Sequence, residues 1–161
     1  MLDNFTGIND AEKKQLIDAI AQITVLIAGA DGMIDTAETA WASKMTKIRS
    51  YSTEDELQDF YKEVGKTFDE DLNALIKDVH NGVEERTKQL VDSLAELNIP
   101  LAKLPNKLGA TLYHSYQTFA KHVAESSGGF LRMWSISGEE KKLINLPMLT
   151  PIVHIKEDKK L

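Results

Sequence analysis

The sequence predicts an all-α fold: one domain over residues 1–150, with about seven helices, followed by an extended or frayed tail over 151–161. Three observations carry this. Apolar residues recur at helical spacing through most of the chain, while the alternation expected of strands is weak. Start and stop residues sit at the ends of those apolar stripes. One helix–corner–helix pattern is also present twice.

Taken in order, Asn9 or Asp10 can cap a first helix that runs to about Gly29, with Leu16, Ile20, Ile23, Ile27 and Ala28 along one stripe. Asp35 caps a second helix, and Glu38 three residues on completes a capping box; the helix runs to about Arg49. Ser52-Thr53 begins a third, with Leu57, Phe60, Tyr61 and Val64 facing inward. The acidic run Asp69-Glu70-Asp71 suits a helix amino terminus, so a fourth helix is expected there, ending at Asn81-Gly82. A fifth covers about Val83 to Leu97, and Pro100 and Pro105 punctuate the stretch after it. The sixth spans roughly Lys107 to Ser126. A short seventh begins at Ser137 and stops near Pro147.

The first and sixth helices match at a constant offset of 96 residues. Leu16, Ile20, Ile23, Ile27 and Ala28 fall on Leu112, Tyr116, Phe119, Val123 and Ala124. The same offset carries Asp31-Gly32 onto Ser127-Gly128. After six extra residues, Ile136-Ser137-Gly138-Glu139-Glu140 matches Ile34-Asp35-Thr36-Ala37-Glu38, and Trp41 pairs with Leu143. Matched apolar, turn and acidic positions in one phase indicate an internal duplication.

The first corner reads like half of a calcium loop. If Asp31-Gly32 takes positions 5 and 6 of an EF-hand loop, Asp35 falls at 9 and Glu38 at 12. Positions 1 and 3 are then Ile27 and Gly29, which carry no side-chain oxygen, so an ordinary EF-hand is excluded. What remains is a tight turn between two helices with three carboxylates at the corner. Hard cations such as calcium and magnesium need several converging oxygens. Asp31, Asp35 and Glu38 supply three, and Glu140 a fourth if the two halves pack about a pseudo-twofold axis. The same residues have a metal-free reading, with Asp35 as N-cap, Glu38 closing its box and Asp31-Gly32 as a turn dipeptide. Zinc fits less well, because it calls for histidine. His122 and Glu125 offer two ligands at most on one helical face, and a solvated polar face explains them equally.

The phrase Ala30-Asp31-Gly32-x-Ile34-Asp35-x-x-Glu38 after an apolar helix resembles the signature of the TerB-like tellurite-resistance proteins. The degenerate second corner resembles that family's duplicated plan. The resemblance covers about Asp10 to Leu149 and implies an all-helical domain whose acidic corners bind a divalent metal in metal stress. The second corner departs from it, with Ser127 and Ser137 where the first has Asp31 and Asp35.

Composition narrows the function classes. A net charge of −6 argues against a general nucleic-acid binder, which would present a basic face. With no cysteine, disulfides and thiolate metal sites are excluded. No Gly-x-Ser-x-Gly elbow, Ser-x-x-Lys, phosphate loop or dinucleotide fingerprint is present, so binding is favoured over catalysis. Met1 to Phe5 lacks the regions of a signal peptide, and the apolar run from Ile23 to Ala30 is too short to span a bilayer. A cytoplasmic, non-enzymatic protein is expected. The competing class is a metal-free interaction module that docks a protein partner, or a second copy of itself, through a helical face or the loop around Trp134. That loop, Gly129 to Ser135, holds four large apolar residues in seven. It serves either as a core plug or as an exposed patch.

Overall fold

A computed structural model describes residues 2–30, 34, 36–52, 55–79, 81–126 and 142–154. Among them there are six helices and no strand: α1 (Asp10–Ala28), α2 (Thr36–Ser52), α3 (Asp55–Asp78), α4 (Val83–Ala95), α5 (Asn98–Lys103) and α6 (Asn106–Glu125). No helix among the described residues is long and apolar enough to cross a membrane.

The α1 helix is the centre of the fold and packs against each of the other five. Its sequence explains why. From Leu16 onward it is apolar nearly all round, and an element with no polar face is stable only when covered on every side. Ala19, Ile20, Ala21, Ile23, Thr24, Val25, Leu26, Ile27 and Ala28 are all buried. Thr24 is tolerated there because its hydroxyl donates to the Ile20 carbonyl at 2.8 Å. Asn9 proves to be the cap: its side chain accepts from the Glu12 amide, and Glu12 accepts from the Asn9 amide in return. Ahead of the cap, Gly7 adopts φ +86°, and a side chain there would meet the Lys103 carbonyl oxygen at 2.5 Å. That turn seats Leu2 and Phe5 in the core, where Phe5 stacks on Phe60 at 5.6 Å.

Two expectations are corrected. The expected third and fourth helices are one continuous helix of 24 residues, and six helices stand among the described residues where about seven were expected of the chain. The acidic run Asp69-Glu70-Asp71 is not a helix start. Leu57, Phe60, Val64, Phe68 and Leu72 form a buried stripe at helical spacing that runs through the acidic run, with Leu75 and Ile76 partly buried beyond it, and burial of that stripe outweighs a local start signal. Conversely, the proline-punctuated stretch after α4 is itself helical. Pro100 is the third residue of α5, where a missing amide proton costs no hydrogen bond. The expected helix from Ser137 falls largely outside the described residues; only Lys142 and Leu143 are described as helical.

The matched stripes are both fully buried. Leu16, Ile20, Ile23 and Ile27 on α1, and Leu112, Tyr116, Phe119 and Val123 on α6, each have no accessible surface, and α1 and α6 pack together. The intervening α3, α4 and α5 all pack on α1. Trp41 is only half-buried, with its ring tilted against Phe119 at 6.3 Å. Past Leu146 the chain docks back on α5 and α6. Asn98 bonds both the Met148 carbonyl and the Thr150 amide, and Asn106 donates to the Val153 carbonyl.

Candidate metal centre

The first corner is built from the carboxyl end of α1 and the amino end of α2. The α1 helix stops at Ala28. The Gly29 amide donates to the Val25 carbonyl at 3.0 Å and the Ala30 amide to Ile27 at 3.3 Å. Such an end leaves carbonyls that need donors. Arg86 of α4 supplies one: its Nη2 donates to the Gly29 carbonyl at 2.6 Å. A side chain at Gly29 would meet that nitrogen at 2.8 Å, so glycine is what admits the guanidinium. A cation at a helix carboxyl terminus also sits favourably in the helix field.

On the far side of the corner, Ile34 is half-buried and α2 begins at Thr36. Glu38 falls at the third helical position. Its side chain has no accessible surface. Of the four residues expected to hold a metal, Glu38 is thus the one whose environment is described. Asp31, Asp35 and Glu140 lie outside the described residues, as do the second corner and the loop around Trp134. Among the described residues no three histidine, aspartate or glutamate side chains come together as a metal-holding group.

Among the described residues the histidines do not assemble a zinc site either. His122 stands edge-on to Trp41, with ring centroids 6.0 Å apart, and desolvation together with the charge of Arg49 holds its ring below the usual imidazole range. Glu125 is half-buried on the same helix, and His154 lies 3.4 Å from the Asn106 side-chain oxygen.

No family model matches the chain, and neither a curated protein nor a solved structure matches it.

Two buried arginines are not foreseen from the sequence. Arg86 occupies an apolar-stripe position of α4, in phase with Val83, Leu90 and Leu94, and that phase is the signal that could have found it. Arg49 lies near the end of α2, where it reads as an ordinary helix-terminal cation. Its guanidinium instead donates to the Tyr61 hydroxyl at 2.9 Å, to the Ser115 hydroxyl at 2.9 Å and to the Ser115 carbonyl at 3.1 Å. It also lies over the rings of Tyr61 and Phe119, at 5.4 and 5.2 Å from their centroids. Among the described residues no carboxylate pairs with it. Its charge is met by neutral oxygens and aromatic faces, which are weaker substitutes for water than an anion is.

Proposed function

We propose that this chain is a non-enzymatic, TerB-like metal-stress module that presents its first acidic corner to a divalent cation of the calcium or magnesium type. Asp31, Asp35 and Glu38 would supply oxygens, with Glu140 from the second copy as a fourth. The observation that carries this reading is the complete burial of Glu38 at the start of α2. Moving a carboxylate out of water costs several kcal/mol (order of magnitude) unless positive charge compensates it. A hard cation shared with the two neighbouring aspartates is chemistry suited to that position.

One observation favours a second reading. The guanidinium of Arg86 reaches the same corner through Gly29, so the protein brings a positive charge of its own there. In that case the corner is structural, and the chain is a metal-free helical module that docks another protein.

Native mass spectrometry of chelator-free protein and thermal melts with calcium, magnesium, manganese and zinc separate the two. A bound ion with a raised melting temperature, lost in Asp31→Asn, supports the cation reading. Unchanged melting with all four metals at millimolar concentration hands the corner to Arg86.

A further inference from the structure

The α3 helix carries a glycine at its middle that packing does not explain. Gly65 lies well inside a 24-residue helix, where glycine is about 1 kcal/mol less favourable than alanine. A Cβ built there meets nothing within 4 Å. No neighbouring backbone or side chain therefore requires its absence. The space above Gly65 belongs to a cavity of about 260 Å³ between α2 and α3, lined by Thr46, Lys47, Ser50, Tyr61, Lys62, Gly65 and Lys66.

The lining is basic in a chain that is acidic overall. Three lysines and no carboxylate face the cavity, although the sequence has 25 acidic against 19 basic residues. Lys47 makes no ion pair among the described residues. Lys62 holds the exposed Asp59 at 3.5 Å and Lys66 the half-buried Glu63 at 2.6 Å, both within one turn of helix. Such pairs contribute little, and each ammonium keeps further protons to donate. The hydroxyls of Thr46 and Ser50 already donate to the Ser43 and Lys47 carbonyls, so the ammonium groups are the donors left for a ligand. Behind the wall, the buried Arg49 guanidinium lies over the Tyr61 ring with no carboxylate among the described residues to cancel its field.

We propose that this cavity between α2 and α3 binds a small phosphate-class oxyanion, held by Lys47, Lys62 and Lys66 over the bare backbone of Gly65. Its volume lies below the roughly 300–1,000 Å³ typical of sites for drug-sized ligands. Inorganic phosphate, pyrophosphate or a small phosphomonoester suits it better than a nucleotide. The missing Cβ lets the anion approach the helix surface between the lysines.

The test is titration of the full chain with inorganic phosphate and pyrophosphate at constant ionic strength, followed by amide NMR. The Gly65 resonance should shift and saturate at millimolar anion or below. Gly65→Ala should weaken pyrophosphate binding by about tenfold, while the anion-free protein melts at a higher temperature because alanine favours the helix and clashes with nothing. That rise shows that the variant folds. Lys47→Gln and Lys66→Gln should each weaken binding as well. Absence of a saturable shift, equal shifts with added potassium chloride, or undiminished binding by Gly65→Ala would each overturn the assignment.

Discussion

The Tyr116 hydroxyl donates to the main-chain oxygen of Leu16 at 2.7 Å, tying together two fully buried residues one hundred positions apart in the chain. This bond joins the two helices that carry the matched stripes. Burial also pushes the Tyr116 phenol well above its usual pKa, so it stays a neutral donor at any ordinary pH. Tyr116→Phe should destabilise the protein by about 1 kcal/mol, because the Leu16 carbonyl keeps its helical partner. Phe119→Ala, which removes a fully buried ring, should cost about 3–5 kcal/mol. Urea unfolding of both variants checks the ratio; equal losses would contradict this account of the α1–α6 interface.

Arg49 offers a sharper contrast. Tyr61 and Ser115 are 2.6 Å apart and keep each other's hydroxyls satisfied without it. Arg49→Met retains the packing volume and removes a desolvated charge, so its stability should stay within about 1 kcal/mol of the parent or exceed it. Arg49→Ala leaves a cavity beside Tyr61 and Phe119 and should cost about 2–4 kcal/mol. Denaturant midpoints for the pair decide whether the charge or the volume matters.

A pH dependence arises from His122. Its folded pKa lies below the unfolded value, first through desolvation and then through Arg49. Near and below pH 6.5 the unfolded chain therefore binds more protons at this site than the native protein does. No penalty exists above the unfolded pKa; it grows as pH falls and is complete below the folded pKa. His122→Gln should accordingly flatten the loss of stability on acidification through this window. Melts at matched ionic strength measure it, and an unchanged slope would show that the ring titrates alike in both states.

The corner can be probed through Glu38 and Gly29. If a divalent cation binds, saturation at about one hundred times its dissociation constant should stabilise the fold by roughly 2.7 kcal/mol. Glu38→Gln should remove most of that gain. Gly29→Ala places a methyl 2.8 Å from the Arg86 nitrogen and should destabilise the protein whether or not metal is present. A Glu38→Gln protein that keeps the full metal effect would exclude that carboxylate as a ligand.

Some of this was legible in the residues. The helical class, the start of α1 at Asn9 or Asp10, the start of α2 just after Asp35 and the burial of both stripes come from short-range periodicity and capping chemistry. Those signals act over one or two turns, and the chain states them locally. The break expected at Asp69 did not occur, because local start signals contribute of the order of 1 kcal/mol whereas a continuous stripe gains several times that on burial. The partners of the two buried arginines were not legible for a related reason. Arg49 and Arg86 take their roles from residues distant in the chain: Tyr61 and Ser115 in one case, Gly29 in the other. The sequence by itself determined the helical class and the inward faces of α1 and α6. Only the tertiary structure decided which helix lies at the centre, which charges are drawn into the core and where Gly65 opens a basic cavity, because those depend on contacts between residues far apart in the chain.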